Sequence, residues 1–141
     1  MSEPNPDDAT LRALLERVRR IAVIGASPDP SRPSHGVMRY LLGAGYTVIP
    51  VRPDGAEVLG VPSVASLAEV APAVDLVDVF RAPEHVPAIV DEVLALGIGA
   101  LWLQDGVVHP EAAARARAAG VQVVMDDCML RVHRRLLGGP R

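Results

Sequence analysis

Lysine is absent from this chain of 141 residues, and cysteine and aromatic residues are scarce. All 14 basic side chains are arginines, so the lysine of a P-loop or of a pyridoxal-phosphate enzyme has no candidate. A single cysteine excludes an internal disulfide framework and is typical of a reducing compartment. With one Trp, two Tyr and one Phe, the core must be built from aliphatic side chains.

The charge and the polar beginning of the chain exclude further classes. A net charge of −3 with few aromatic residues disfavours a nucleic-acid partner. No apolar run approaches the roughly 20 residues that a membrane span needs. The first ten residues are polar and show no signal-peptide pattern. We therefore expect a cytoplasmic protein without a nucleic-acid or membrane partner.

Short apolar runs alternate with helical periodicity along the whole chain, which at this length indicates one domain spanning residues 1–141. Residues 1–8 are expected to be flexible. Strands are predicted at 21–25, 46–51, 61–64 (a short edge strand), 74–80, 100–103 and 121–125. Helices are predicted at 9–19, 35–42, 83–97, 110–120 and from Asp126 or Asp127 to Leu137, with a short one after Ser66. Alternating strands and helices predict a parallel α/β sheet in three layers, with helices on both faces.

Residues 21–27 form the stretch around which this fold is organised. Ile21, Ala22, Val23 and Ile24 are typical of a strand buried on both faces, and Gly25 permits a sharp turn. Ser34 is expected to cap the following helix. A strand, a turn of small residues and a helix N-terminus together form a site for phosphate.

The strand order expected for such a doubly wound, Rossmann-like sheet is 3-2-1-4-5-6. The crevice then lies between the first strand and the strand at 74–80. Three turns, at residues 25–32, 52–55 and 80–85, are predicted to converge on the ligand there.

A dinucleotide fingerprint is only partly present. Of the three glycines of G-x-G-x-x-G, the chain has Gly25 alone, with Ser27 and Pro30 in the other places. The carboxylate that holds the ribose of NAD is replaced by Arg52. NAD is therefore disfavoured, whereas a ligand with a phosphate on its ribose remains open.

Six segments in order along the chain resemble one family. They are Ile24-Gly25-Ala26-Ser27, Val48-Ile49-Pro50-Val51, Val77-Asp78-Val79-Phe80-Arg81, Val90-Asp91-Glu92, Gln104-Asp105-Gly106-Val107 and Met125-Asp126-Asp127-Cys128. As a set they are similar to the stand-alone CoA-binding proteins related to the N-terminal domain of the succinyl-CoA synthetase alpha subunit. The resemblance implies a Rossmann-like fold that holds coenzyme A in the crevice described above.

The resemblance also implies which residues meet the ligand. Gly25, Ala26 and Ser27 would contact the phosphates, Val51, Arg52 and Pro53 the adenosine, and Phe80, Arg81, Ala82 and Pro83 the pantetheine. Ser34, Gln104 and Gly106 would complete the crevice. The synthetase uses a lysine just beyond the second strand, where this chain has Asp54, and we expect Arg52, helped by Arg32, to replace it.

No catalytic or metal site is predicted. The synthetase carries its phosphorylated histidine in a second domain, for which this chain has no residues. His35, His109 and His133 fit capping or solvated roles, whereas His85 lies near the expected crevice mouth. Asp75 and Asp78 are expected to pair with backbone or arginine groups, since no cluster of metal ligands accompanies them.

Three functions therefore remain open on the sequence. The first is non-catalytic binding of CoA or an acyl-CoA. The second is an NADP- or nucleotide-binding subunit whose partner chain supplies the chemistry, and the third is a structural interaction module. An edge strand or the terminal helix offers a surface for a homodimer or another protein partner.

Cys128 carries one further hypothesis. It follows a strand end near a helix N-terminus, a position that favours the thiolate, although Asp126 and Asp127 oppose this. A mixed disulfide with the CoA thiol would be detected by mass spectrometry of the oxidised protein. The simpler interpretation is a small buried residue.

Overall fold

The alternation of apolar strands and amphipathic helices is realised in a computed structural model, which describes residues 4–70 and 74–138. In that part of the chain the strands are β1 (Arg20–Ile24), β2 (Thr47–Val51), β3 (Leu76–Val79), β4 (Ala100–Leu103) and β5 (Gln122–Val124). The helices are α1 (Asp8–Arg17), α2 (Pro33–Gly43), α3 (Val86–Ala95), α4 (Pro110–Ala118) and α5 (Met129–Leu137). Short 3₁₀ turns occupy Leu67–Glu69 and Pro83–His85. Within the described ranges no helix combines the length and apolar character needed to cross a bilayer.

The sheet is entirely parallel, with the order β2-β1-β3-β4-β5. The predicted edge strand at 61–64 is reduced to a single parallel bridge between Val64 and Val51. With that bridge counted as the third strand, the order is the predicted 3-2-1-4-5-6. The strand order therefore reverses between β1 and β3, which is where an open α/β sheet binds its ligands.

Both faces of the sheet are covered, because successive strand side chains point to opposite sides. On one face Val23 and the fully buried Trp102 pack with α1, α2 and α5. On the other, Ile24 and Val79 pack with α3 and α4. The three-layer, doubly wound α/β fold expected from the sequence is confirmed.

Two predicted helix caps are wrong. Arg32 precedes α2, whose first residue is Pro33, so Ser34 lies inside the helix and does not cap it. Proline suits this first position because its missing N–H would have no helical partner. The residue immediately before α5 is Cys128, so the N-cap position is held by neither Asp126 nor Asp127.

Pro50 does not interrupt β2. It pairs with Val23 of β1 in an unbroken register. Its carbonyl oxygen accepts a hydrogen bond from Val64 on the outer side of the strand. The nitrogen of a strand residue points to the same side as its carbonyl, so the missing N–H faces the sheet edge, where proline is tolerated.

The chain before α1 is held against the far edge of the sheet. The Asn5 side-chain amide donates to the Met125 carbonyl oxygen (2.9 Å) and accepts from the Met125 N–H (2.8 Å). Asp7 caps α1 by accepting from the Thr10 N–H. Residues 5–8 therefore make defined contacts, while the predicted flexibility of residues 1–8 stays a prediction and residues 1–3 lie outside the described part.

Candidate functional site

Gly25 makes the turn at the end of β1, and no larger residue fits there. Its φ of +85° belongs to the left-handed region, and an added Cβ would lie 2.5 Å from the Phe80 carbonyl oxygen. Its N–H donates to the Val51 carbonyl oxygen at 3.4 Å. The ends of the three strands β1, β2 and β3 therefore meet at this residue, with no side chain between them.

The loop from Gly25 to α2 is held by short polar contacts. The Ser27 hydroxyl accepts from the Asp29 N–H, and the Asp29 carboxylate accepts from both the N–H and the hydroxyl of Ser31. These bonds bring the first turn of α2 to the carboxyl edge of the sheet, where Ser34 is buried yet faces a cavity. A helix N-terminus beside a glycine turn is the arrangement that favours anionic ligands.

A cavity of about 620 Å³ runs along this edge of the sheet. Its size falls within the range of about 300–1,000 Å³ found for small-molecule sites. Its walls come from the loops after all five strands and from the start of α2. It is lined by Gly25, Ser27, Arg32, Pro33, Ser34, Val37, Arg52, Phe80, Arg81, Ala82, Pro83, Gln104, Asp105, Gly106, Val107 and Cys128.

A second cavity of about 340 Å³ adjoins the first at the end of β2. The two share Gly25, Arg52 and Arg81. The second cavity adds Ala26, Val51, Pro53 and Asp54. All fourteen residues predicted for the site therefore lie around these two connected cavities; their contact with a ligand stays a prediction.

Arg52 is held in place by three hydrogen bonds. Its Nε and Nη2 donate to the two carboxylate oxygens of Asp54, and its Nη1 donates to the Ala26 carbonyl oxygen at 2.6 Å. Hydrogen bonding to Asp54 raises the pKa of Arg52, and the same contact lowers the pKa of Asp54. Both groups are therefore charged throughout the physiological range, and their charges balance.

Arg81 lies at the junction of the cavities. Its Nη2 is 3.1 Å from Nε2 of His85, and its Cδ would lie 3.2 Å from a Cβ added to Gly25. Within the described residues neither Arg81 nor Arg32 forms an ion pair with a carboxylate. Hydrogen bonds from Ser31 and the charge of Arg32 lower the pKa of Asp29, so that carboxylate partly offsets Arg32. Arg81 is the cavity cation with no carboxylate partner among the described residues.

The opposite end of the cavity is a rigid wall. The Gln104 Oε1 accepts from the Met129 N–H, and the Gly106 N–H donates to Asp126. Arg131 bridges Asp105 and Asp127, and its hydrogen bond lowers the pKa of Asp105. The loops after β4 and β5 are thereby joined, and the half-buried Cys128 lies beside them at the cavity. A mixed disulfide at this thiol stays a prediction.

The sequence missed Pro33, Val37, Asp105 and Val107 as lining residues. Pro33 and Val37 lie four residues apart and so share the helix face that Arg32 begins, a spacing that was available as a signal. Asp105 and Val107 flank predicted residues in the turn after β4.

Two histidine assignments change. His133 was expected to be solvated, but it is buried, and its Nδ1 is 2.8 Å from the Tyr40 hydroxyl oxygen. His35 is also buried. His109 caps α4 as expected, by accepting from the Ala112 N–H. In residues 4–70 and 74–138 no group of three or more His, Cys, Asp or Glu side chains is placed to hold a metal ion.

Known proteins resemble this chain over nearly its whole length. It is 40% identical to the uncharacterized protein YneT of Bacillus subtilis (strain 168) over 129 residues, 92% of this chain and 96% of that protein. The structure of cell-free ID.343 from Thermus thermophilus superposes with a TM-score of 0.88 at 47% identity, covering 93% of this chain and 99% of that one.

A more distant similarity reaches a much longer enzyme. The chain is 28% identical over 119 residues to acetate–CoA ligase [ADP-forming] I of Archaeoglobus fulgidus, which covers 77% of this chain and only 17% of the enzyme. The relation to the CoA-binding domain of such synthetases, expected from the six segments, is confirmed. Residues 19–134 match the model of the family described as CoA binding domain, and the chain belongs to that family.

Proposed function

We propose that this chain binds coenzyme A, or an acyl-CoA, in the connected cavities at the carboxyl edge of the sheet and does not itself transform it. The observation that carries the proposal is the course of the main cavity. It extends from Arg52 beyond β2, past Gly25, to Cys128 beyond β5. A long, thin ligand with phosphates near one end suits such a cavity.

The lining residues follow one another along the cavities in an order that suits the chemical groups of coenzyme A. Adenosine lies near Val51 and Pro53, and the diphosphate lies over Gly25 between Arg32 and Arg81. The pantetheine arm then crosses the ends of β3 and β4 toward Cys128. Each guanidinium can donate two parallel hydrogen bonds to a phosphate.

The length of the arm agrees with this placement. Adjacent strands are about 4.8 Å apart, so the three steps from β1 to β5 span about 14 Å. The arm from phosphate oxygen to sulfur has about as many bonds as four residues of extended chain, and so reaches about 14 Å. The thiol, or the acyl group on it, therefore ends beside Cys128 and Gln104.

The groups at that end support binding without catalysis. Thioester chemistry needs a nucleophile or a base held by an orienting partner. The Gln104 oxygen is engaged by Met129, and the Asp105 carboxylate by Arg131. Such a chain would act as a carrier, a sensor or a regulatory subunit in the cytoplasm.

The test is a set of calorimetric titrations of the full chain with CoA, acetyl-CoA, NADP and NAD. We expect CoA and acetyl-CoA to bind at least about tenfold more tightly than either dinucleotide, a difference of about 1.4 kcal/mol. A preference for NADP with indifference to CoA would establish the alternative, a nucleotide-binding subunit that relies on a partner chain. Binding of none of the four would leave an interaction module.

A further inference from the structure

Arg52 and Asp54 form a bidentate ion pair at the adenosine end of the proposed site. The Arg52 Nε and Nη2 lie 2.9 and 2.8 Å from the two Asp54 oxygens. One of those oxygens also accepts from the Ala56 N–H at 3.0 Å. The third Arg52 contact goes to the Ala26 carbonyl oxygen. Three of the five N–H groups of Arg52 are thus used inside the protein.

The pair leaves this end of the site without net positive charge. Asp54 is the more exposed partner, with 57% of its side chain accessible against 24% for Arg52. A ligand phosphate approaching Arg52 therefore also approaches an ionised carboxylate. Arg81, which has no carboxylate partner among the described residues, lies along the main cavity beside the Gly25 turn, as does Arg32, which Asp29 partly offsets.

We propose that Asp54 is a specificity-determining residue: it masks Arg52 and makes the site nearly indifferent to the phosphate on the ribose of coenzyme A. The inference rests on the proposed function and narrows its ligand class to adenosine diphosphate linked to pantetheine, with or without the 3′-phosphate. Arg52 then acts as a hydrogen-bond donor through its two remaining N–H groups. Arg52 therefore does not supply the positive charge of the synthetase lysine, contrary to the expectation from the sequence.

The physical reason is a cancellation. A 3′-phosphate near Arg52 gains charge-assisted hydrogen bonds, but it meets repulsion from Asp54 at a similar distance. The diphosphate lies nearer to Arg81, which has no carboxylate partner among the described residues, so its attraction is not offset in this way. Removal of the Asp54 charge therefore has to strengthen CoA binding more than binding of 3′-dephospho-CoA.

The experiment compares CoA with 3′-dephospho-CoA by calorimetry on the full chain. For the wild type we expect dissociation constants within about threefold of one another. Asp54→Asn and Asp54→Ala should each tighten CoA about five- to tenfold and change dephospho-CoA by less than about threefold. Asp91→Asn is the matched control. Asp91 lies on α3, away from the two cavities, and its exposed carboxylate pairs with Arg115 of α4, so its removal should leave both constants unchanged.

Two outcomes would overturn the inference while CoA binding stands. One is a wild type that prefers CoA by about tenfold or more. The other is an unchanged ratio of the two constants in both Asp54 variants, with circular dichroism showing that they are folded. If the folded wild type binds neither ligand, the proposed function itself fails.

Discussion

The carbonyl oxygen of Phe80 occupies the space that a side chain on Gly25 would need. The two strand ends approach so closely that an added Cβ would lie 2.5 Å from that oxygen. This contact brings the loop after β3 against the turn after β1, and Arg81 is thereby held beside the turn. The cavity floor depends on that approach.

Gly25→Ala should therefore damage both stability and ligand binding. The left-handed backbone alone costs about 1–2 kcal/mol for a residue with a side chain, and the contact with Phe80 adds to this. We expect a loss of about 2–4 kcal/mol in the free energy of unfolding, measured by urea denaturation, and at least tenfold weaker CoA binding.

Gly36→Ala is the matched control for that substitution. Gly36 lies within α2, and an added Cβ would meet nothing within 4 Å. The change should raise the free energy of unfolding by about 0.5–1 kcal/mol, since alanine favours a helix interior. Equal effects of the two substitutions would show that the Gly25 turn is not under the constraint described.

Asp78 should make the protein less stable as the pH rises. Burial raises the pKa of Asp78 well above its ordinary value, against a weaker opposing effect of the Val79 backbone N–H, and no side chain among the described residues hydrogen bonds to its carboxylate. Of the two expected kinds of partner, the Val79 N–H represents the backbone, and no arginine pairs with Asp78 among the described residues. The folded state holds the proton more tightly than the unfolded chain, so this stabilisation is complete below the ordinary pKa of about 3.9 and is lost as pH rises through the raised pKa.

Asp78→Asn should remove this dependence. At pH 8 we expect the variant to be more stable than the wild type by on the order of 1–2 kcal/mol, with a smaller difference at pH 5, by urea denaturation. Asp75→Asn is the opposite control. Burial opposes ionisation of Asp75, but the N–H groups of Arg20 and Arg19 lower its pKa overall, so this change should destabilise at neutral pH. A pH-independent loss in Asp78→Asn would contradict the argument.

CoA should protect Cys128 from alkylation. The thiol is the only one in the chain and lines the main cavity, so labelling by iodoacetamide is assigned without ambiguity. At a CoA concentration about ten times the dissociation constant, about nine tenths of the protein is occupied and labelling should slow about tenfold. Cys128→Ser should show no labelling at all. An unchanged rate at saturating CoA would place the pantetheine arm elsewhere.

Asn5 should contribute measurably to stability although it precedes the first helix. Its amide exchanges two hydrogen bonds with the Met125 backbone just beyond β5, as a neighbouring strand would. Asn5→Ala should lower the free energy of unfolding by about 1–2 kcal/mol, measured by urea denaturation. Asn5→Asp retains the hydrogen-bond acceptor and loses the donor, so its free energy of unfolding should lie between those of the wild type and of Asn5→Ala. A stability equal to that of the wild type would show that the segment is not anchored in solution.

Features set by local periodicity could be predicted well. The limits of β4 agree with those predicted, and the strand order follows once the single Val64 bridge is counted. Parallel strands buried on both faces appear as apolar runs bounded by glycine, so their positions are visible in the sequence. Helix ends were harder to predict. Ser34 and Asp126 are both typical capping residues, yet α2 already begins at Pro33, and Asp126 adopts a left-handed backbone two residues before Cys128, which precedes α5.

The sequence by itself determined the alternation of strands and helices, the turn at Gly25 and the family. These features depend on residue spacing and on positions whose backbone conformation suits few residue types. Only the tertiary structure decided which charges remain unbalanced. Nothing in the sequence distinguishes Arg32, Arg52 and Arg81, but within residues 4–70 and 74–138 Arg52 alone of the three forms an ion pair with a carboxylate. It also placed Cys128 and Ser27, about a hundred residues apart, on one cavity. Ion pairing and cavity walls depend on distances through space, and residue spacing along the chain does not contain them.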